Sequence, residues 1–150
     1  MVVTQASVRI HRMTTQEELF IQTQHRGFYD ISADVKGRVA ARRLDVGLLT
    51  LFIPHTSASL IIQENADPAV LHDLENFFTK LVPDGDPGYE HRSEGPDDMP
   101  AHIRSALTQT HLSIPISSGR LCLGTWQGIY LYEHRTDPHQ RRVILHFSDS

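Results

Sequence analysis

A seven-residue apolar run at 47–53, GLLTLFI, stopped at once by Pro54, constrains the fold of this chain more than any other feature. A run so short and so apolar reads as a strand covered on both faces. Proline cannot donate to a sheet ladder, so the chain must leave the sheet at Pro54. His55, Thr56, Ser57 and Ser59 fall at that exit. Residues 60–62, LII, read as a second strand, with Glu64 and Asn65 at its end and Asp67 and Pro68 opening a helix. On this reading His55 and the Glu64/Asn65 pair occupy strand ends, where side chains can converge on a ligand. The plain alternative is that the hydroxyls form turns and His55 is a structural residue.

Around this stretch the pattern predicts further elements. Strands at 7–11 and 18–22 form a pair, and residues 26–28 form a turn. A helix starts near Ser32 and ends around Arg43, with Val35, Val39 and Ala40 on its inner face. Gly37 weakens it by about 1 kcal/mol relative to Ala. The next helix has Asp67 as N-cap and Pro68 in its first position. Val70, Leu71, Leu74, Phe77, Phe78 and Leu81 recur at helical spacing, so this stripe is expected in the core. Residues 83–100 hold four prolines and three glycines, which excludes a regular element and points to a working loop. A third helix follows, capped by Asp98, with Pro100 near its start and Ile103, Ala106 and Leu107 inward. His102 falls in its first turn, where the helix dipole favours a neutral ring.

Towards the C-terminus, residues 117–120 (SSGR) form a turn suited to an anion. Residues 121–123 read as a strand with Cys122 as inert core. Gly124, Thr125, Trp126, Gln127 and Gly128 suggest backbone drawn close to a ligand. Residues 129–134 and 142–147 form a closing hairpin. The mixed order of strands and helices predicts an α+β fold with a mixed or antiparallel, sandwich-like sheet and about three helices.

The 150 residues suffice for one domain, 1–150, with its own core. A net charge of −4 argues against a sequence-independent nucleic-acid binder. One cysteine excludes an intrachain disulfide framework and fits a reducing compartment. No apolar run is long enough to span a bilayer, and the first residues lack a signal-peptide core. A soluble cytoplasmic protein without nucleic-acid or membrane partners is expected. No nucleophile elbow, phosphate-binding P-loop, dinucleotide fingerprint or paired CxxC motif is present.

The chemistry therefore rests on histidines. His55, His91 and His102 match no compact zinc spacing, so the bland reading is a solvated loop residue at 91 and a satisfied helix residue at 102. Three imidazoles with an open fourth position would make a catalytic zinc arrangement. Glu64 could serve as base or could orient a histidine. Ser118, Gly119, Arg120 and Thr125 could hold phosphate, and Trp126 could stack on a flat ring.

Three segments taken together, HTSASLIIQENADP (55–68), YEH with DDMPAHI (89–91 and 97–103) and LGTWQGIYLYEHR (123–135), resemble the YjbQ family, also called secondary thiamine-phosphate synthase enzymes. Gln63 departs from the Asn common at that position. The resemblance implies an α+β homotrimer with sites near subunit boundaries. It implies His55, His91 and His102 as site histidines and possible metal ligands, with His55, Glu64, Asn65 and His102 as catalytic groups. It further implies Gly124, Thr125, Trp126, Gln127 and Glu133 as substrate contacts, to which the residues themselves add Ser57 at the strand exit and Ser118 and Gly119 in the SSGR turn. The activity implied is weak thiamine-phosphate synthesis, joining a pyrimidine diphosphate to a thiazole phosphate with release of pyrophosphate. Imidazole ligands suit a zinc-like divalent metal, whereas diphosphate chemistry suits magnesium. Two readings stand: an enzyme on a small phosphorylated or heterocyclic metabolite, or a non-enzymatic trimer that binds a metal or metabolite.

Overall fold

Burial alternates residue by residue along the strands of one sheet and runs unbroken along the last strand of the other, and those two patterns fix the architecture. In the strand that opens at Gly47, the residues Gly47, Leu49 and Leu51 are buried while Leu48 and Phe52 are exposed. The run expected to be covered on both faces is thus covered on one within the protomer. A computed structural model describes residues 14–149, and the strand expected at 7–11 lies outside the described residues.

In chain order the elements are β1 (Thr14–Thr23), β2 (Gly27–Asp30), α1 (Ser32–Arg42), β3 (Gly47–Phe52), β4 (Ala58–Glu64), α2 (Pro68–Leu81), α3 (Asp98–Leu107), β5 (His111–Ser117), β6 (Arg120–Leu121), β7 (Gln127–Glu133) and β8 (His139–Asp149). They build a five-stranded sheet, β1-β8-β3-β5-β6, and a three-stranded sheet, β2-β7-β4. Every pairing is antiparallel. The sheets face each other across one core that joins Leu49, Leu51, Leu145 and Phe147 of the large sheet to Leu60, Ile129 and Leu131 of the small one. This is the expected α+β, sandwich-like class.

The expected closing hairpin does not form. β7 pairs with β2 and β4, while β8 pairs with β1 and β3, so the two strands lie in different sheets. Each is bonded on both sides and has no free edge to offer the other.

Helix α1 runs as expected, with Val35 and Val39 buried, although Ala40 is exposed. The Ser32 hydroxyl accepts the Ile129 N–H at 2.8 Å, tying the helix start to β7. Asp67 caps α2, its carboxylate accepting the Ala69 N–H at 2.9 Å. The α2 stripe is not core: no residue of the helix is fully buried, and Phe77 and Leu81 are 58% and 54% exposed. The helix lies over the outer face of the small sheet, where Phe78 meets Tyr132 edge to face. Helix α3 is rotated from expectation. Ala101, Arg104 and Ser105 are buried, Ile103 is half-buried, and Ala106 and Leu107 are exposed. The inward Arg104 explains the rotation, since its guanidinium bonds to Glu75 at 2.8 Å and to the Tyr132 hydroxyl at 3.3 Å. Cys122 is exposed and follows the short β6. Among the described residues, no helix is long and apolar enough to cross a membrane.

Leu131, fully buried between the sheets, should cost about 2–5 kcal/mol when cut to Ala. The half-buried Leu74→Ala should fall at or below the low end of that range, and the exposed Phe77→Ala should cost about 0.5 kcal/mol or less. Urea unfolding of the three variants measures the order.

Candidate functional site

Helix α3 carries Asp98 and His102 one turn apart, and the preceding loop brings His91 to the same carboxylate. His91 Nε2 lies 2.7 Å and His102 Nε2 3.5 Å from Asp98 Oδ2. One ligand atom from each of the three residues lies within 4.8 Å of the others. The tautomer of His102 follows from its other nitrogen. Nδ1 is 3.0 Å from the Thr56 carbonyl, which can only accept, so Nδ1 carries a proton. In the neutral ring Nε2 then presents a lone pair towards a carboxylate oxygen. Two lone pairs facing each other invite a cation between them. Asp98 itself is fixed: its Oδ1 accepts Arg135 Nη1 at 2.8 Å, leaving Oδ2 for the histidines. Arg135 also donates to Asp97 at 3.0 Å and to the Glu94 carbonyl at 2.8 Å, which pins the loop. A bidentate pair between Arg26 and Asp84 holds its other end. Cavities flank the cluster, one of about 380 Å³ lined by His91, Tyr89 and Arg92, the other of about 310 Å³ lined by His55, Thr56, His102 and Ser105.

His55 reaches the cavity but not the cluster. Its Nε2 accepts the Arg142 N–H at 3.0 Å, so the lone pair a metal would need is already spent. Burial first, then the Arg141 and Arg142 charges, lowers its pKa below the ordinary value, and the neutral ring keeps its proton on Nδ1. Asp98 takes the place expected for His55 in the trio.

Behind these residues lies a buried ionic network. Arg141 donates to both Glu133 oxygens, at 2.7 and 2.6 Å, and to the Ser57 hydroxyl at 2.9 Å. The Thr23 hydroxyl and the Arg135 N–H complete the acceptance at Glu133, at 2.9 and 3.0 Å. Burial works to raise the Glu133 carboxyl, but Arg141 with the Arg135 amide and Thr23 holds it below its usual range. Glu133 is fully buried and saturated, so it anchors the site instead of touching a substrate as expected. Ser57 is likewise engaged by Arg141. The adjacent His134 is buried with Nε2 at 2.8 Å from Ser59 Oγ, and burial followed by Arg104, Arg26 and Arg141 pushes its pKa well below normal.

The remaining expected site residues stand elsewhere. β4 runs antiparallel to β7 with Ala58 opposite Glu133 and Glu64 opposite Gln127. Glu64 and Asn65 are therefore a full strand from His55, roughly 20 Å at 3.3 Å per residue. The convergence expected of them within one protomer does not occur. They join the other end of the sandwich, where the Asn65 N–H donates to the Trp126 carbonyl at 3.0 Å. Gly124 to Gln127 close a turn there, the Gln127 side chain accepting the Gly124 N–H at 2.8 Å. A Cβ at Gly128 would come within 2.8 Å of the Tyr130 ring and 3.1 Å of Asn65, so only glycine lets the strand pass. Trp126 is 63% exposed. Ser118 and Gly119 take positive φ (51° and 71°) in the turn between β5 and β6, and the Gly119 N–H is held by the Asp45 carbonyl, so it is not free for an anion.

Sequence reasoning missed Asp98 as a site group, treating it only as a helix cap, and missed Arg135 and Arg141. The spacing of Asp98 to His102, four apart on one helix, was the available signal.

The fold is an α+β sandwich with the His91–Asp98–His102 cluster at one end. Residues 17–150 match the family model described as UPF0047 protein YjbQ-like. A UPF0047 protein of Synechocystis sp. is 56% identical over 89% of this chain and 90% of its own length. The UPF0047 protein YjbQ of Escherichia coli O157:H7 is 46% identical over 88% of this chain and 96% of its own. Among solved structures, an uncharacterised YjbQ/UPF0047 protein of Clostridium acetobutylicum superposes with a TM-score of 0.79 at 36% identity, covering 87% of this chain and 98% of that one. The chain belongs to the YjbQ-like UPF0047 family.

The buried His134 gives a pH test. Its folded pKa is lowered, so below about pH 6.5 the unfolded chain binds a proton that the folded chain refuses, and stability is lost as the pH drops; above that this group adds no slope. Unfolding free energies from urea titrations should rise between about pH 5 and 6.5, and His134→Gln should remove up to about 1.4 kcal/mol per pH unit of that slope.

Proposed function

We propose that His91, Asp98 and His102 hold a transition-metal ion and that this centre acts on a small phosphorylated or heterocyclic metabolite. The observation that carries the reading is the convergence of His91 Nε2 and His102 Nε2 on one Asp98 oxygen, at 2.7 and 3.5 Å, with the other His102 nitrogen held by the Thr56 carbonyl. Two imidazoles and one carboxylate suit zinc or a neighbouring first-row metal better than magnesium, which takes oxygen ligands. Such an ion, when bound, supplies Lewis acidity towards a phosphoryl or carbonyl oxygen and an open position for water.

The chain's own groups have separate tasks. The Thr56 carbonyl fixes the His102 tautomer, and Arg135 orients Asp98. His55 Nδ1–H is a donor at the shared cavity, able to hold a substrate oxygen. Cavities beside the cluster favour an enzyme over a closed metal-storage shell. Within this reading the finer activity is thiamine-phosphate synthesis, whose departing pyrophosphate would need the metal and nearby cations such as Arg92 to neutralise its charge. A role in the cytoplasm fits the exposed free thiol of Cys122.

The assembly in this reading is a homotrimer. The outer face of the large sheet exposes Phe20, Leu48 and Phe52, at 53, 39 and 43%, a face that a second copy would cover. Light scattering should give about three times the 17.0 kDa chain mass; a monomer at micromolar concentration contradicts the trimer.

Equilibrium dialysis against zinc followed by elemental analysis should give one ion per chain. His91→Ala, His102→Ala and Asp98→Asn should each weaken retention by about 10-fold or more, while His55→Ala keeps the ion and loses turnover. Thiamine-phosphate formation is assayed on the same set. Normal retention in Asp98→Asn would sink the metal reading, and retention with no turnover in any metal form would leave the non-enzymatic alternative in its place.

A further inference from the structure

At the end of β7 away from the histidines, a separate cavity of about 370 Å³ opens between α1 and the turn that joins β5 to β6. Its floor is aliphatic. Val39 is buried, and Leu121 and Leu123 pack against the core. Its rim carries Lys36 and Arg120, and no carboxylate lines it. Neither cation has a side-chain hydrogen bond or ion pair among the described residues, in a chain whose net charge is −4. The Gln127 oxygen is spent on the Gly124 N–H, so its amide N–H₂ remains as a further donor on this rim.

These features select a ligand. An aliphatic floor desolvates an apolar body, and a rim with two cations and no carboxylate rewards an anionic head. A neutral or cationic molecule would leave both cations unmatched. We propose that this cavity binds a small organic anion, an apolar body with one carboxylate or phosphate head, separately from the histidine cluster. Six residue steps of β7 put the two sites roughly 20 Å apart in one protomer, so a molecule that fills this cavity does not reach Asp98. The site is independent of the metal reading: it needs neither the ion nor turnover.

The test uses the full chain and amide NMR, with phenyl phosphate, benzoate, inorganic phosphate and benzyl alcohol as probes. Phenyl phosphate and benzoate should shift the Arg120, Leu121 and Gly124 amides saturably. Inorganic phosphate lacks the body and benzyl alcohol lacks the charge, so each should bind about 10-fold more weakly. Lys36→Ala and Arg120→Ala should each weaken phenyl phosphate by about fivefold, the worth of one exposed charge-assisted bond. Asp98→Asn, which disarms the proposed metal centre, should leave these shifts unchanged. Shifts confined to the His91 and His102 region, equal binding of inorganic phosphate, or full affinity in both cation variants would each overturn the proposal.

Discussion

The bidentate pair between Glu133 and Arg141 is the interaction on which the site end of this molecule depends. Glu133 closes β7 in the small sheet and Arg141 sits near the start of β8 in the large one, so the pair ties the sheets together. Burying two charges is costly, and such a pair persists only where the remaining lone pairs and protons are satisfied. Here Thr23, Ser57 and the Arg135 N–H meet that demand. Loss of one partner would strand the other in the core, a change worth about 3–5 kcal/mol in comparable cases.

The same pair sets the positions of the residues around the histidine cluster. Arg142, next along β8, offers its N–H to His55. Arg135, two residues past Glu133, leaves the sheet in the direction of Asp97 and Asp98. His55, Asp98 and through it His91 are thus referenced to one buried contact between sheets. This is the arrangement a precise centre needs, since ligands held only by loops drift. The strand β7 then acts as a ruler. One end fixes the histidine cluster, and the other fixes the Gly124–Gln127 turn and its cavity, with Glu64 and Asn65 beside it.

Much of this was legible in the residues. Asp67 and Pro68 announced the start of α2, Pro54 the end of β3, and the prolines and glycines after residue 82 an irregular loop, which ends at 97 because Asp98 to Pro100 already belong to α3. Of the three histidines expected to converge, His91 and His102 do, with ring centroids 5.5 Å apart. The failures share a cause. Each side chain was assigned from its own polarity, whereas burial was decided by a partner distant in sequence. Arg104 points inward because Glu75 and Tyr132 receive it, while Phe77, apolar and on the stripe of α2, stays 58% exposed. His55 and Glu64 stand at strand ends, as expected, but at opposite ends of the same strand segment. Periodicity along a chain does not reveal that separation.

The rotation of α3 has a consequence for the centre. With Arg104 at 0% exposure bonded to Glu75, and Ser105 donating to the Ala58 carbonyl at 3.4 Å, the helix is locked about its own axis. Asp98 lies on the same buried stripe as Ala101 and Ser105, so the lock turns its carboxylate away from solvent and towards Arg135. His102, one turn along, falls at the rim of the stripe, half-buried, with one nitrogen on Thr56 and the other facing the carboxylate. Had the helix faced inward through Ile103 and Leu107, as its apolar residues alone suggest, Asp98 and His102 would have turned away from His91. A buried arginine, unfavourable by itself, therefore positions the carboxylate and imidazole on which the proposed chemistry rests.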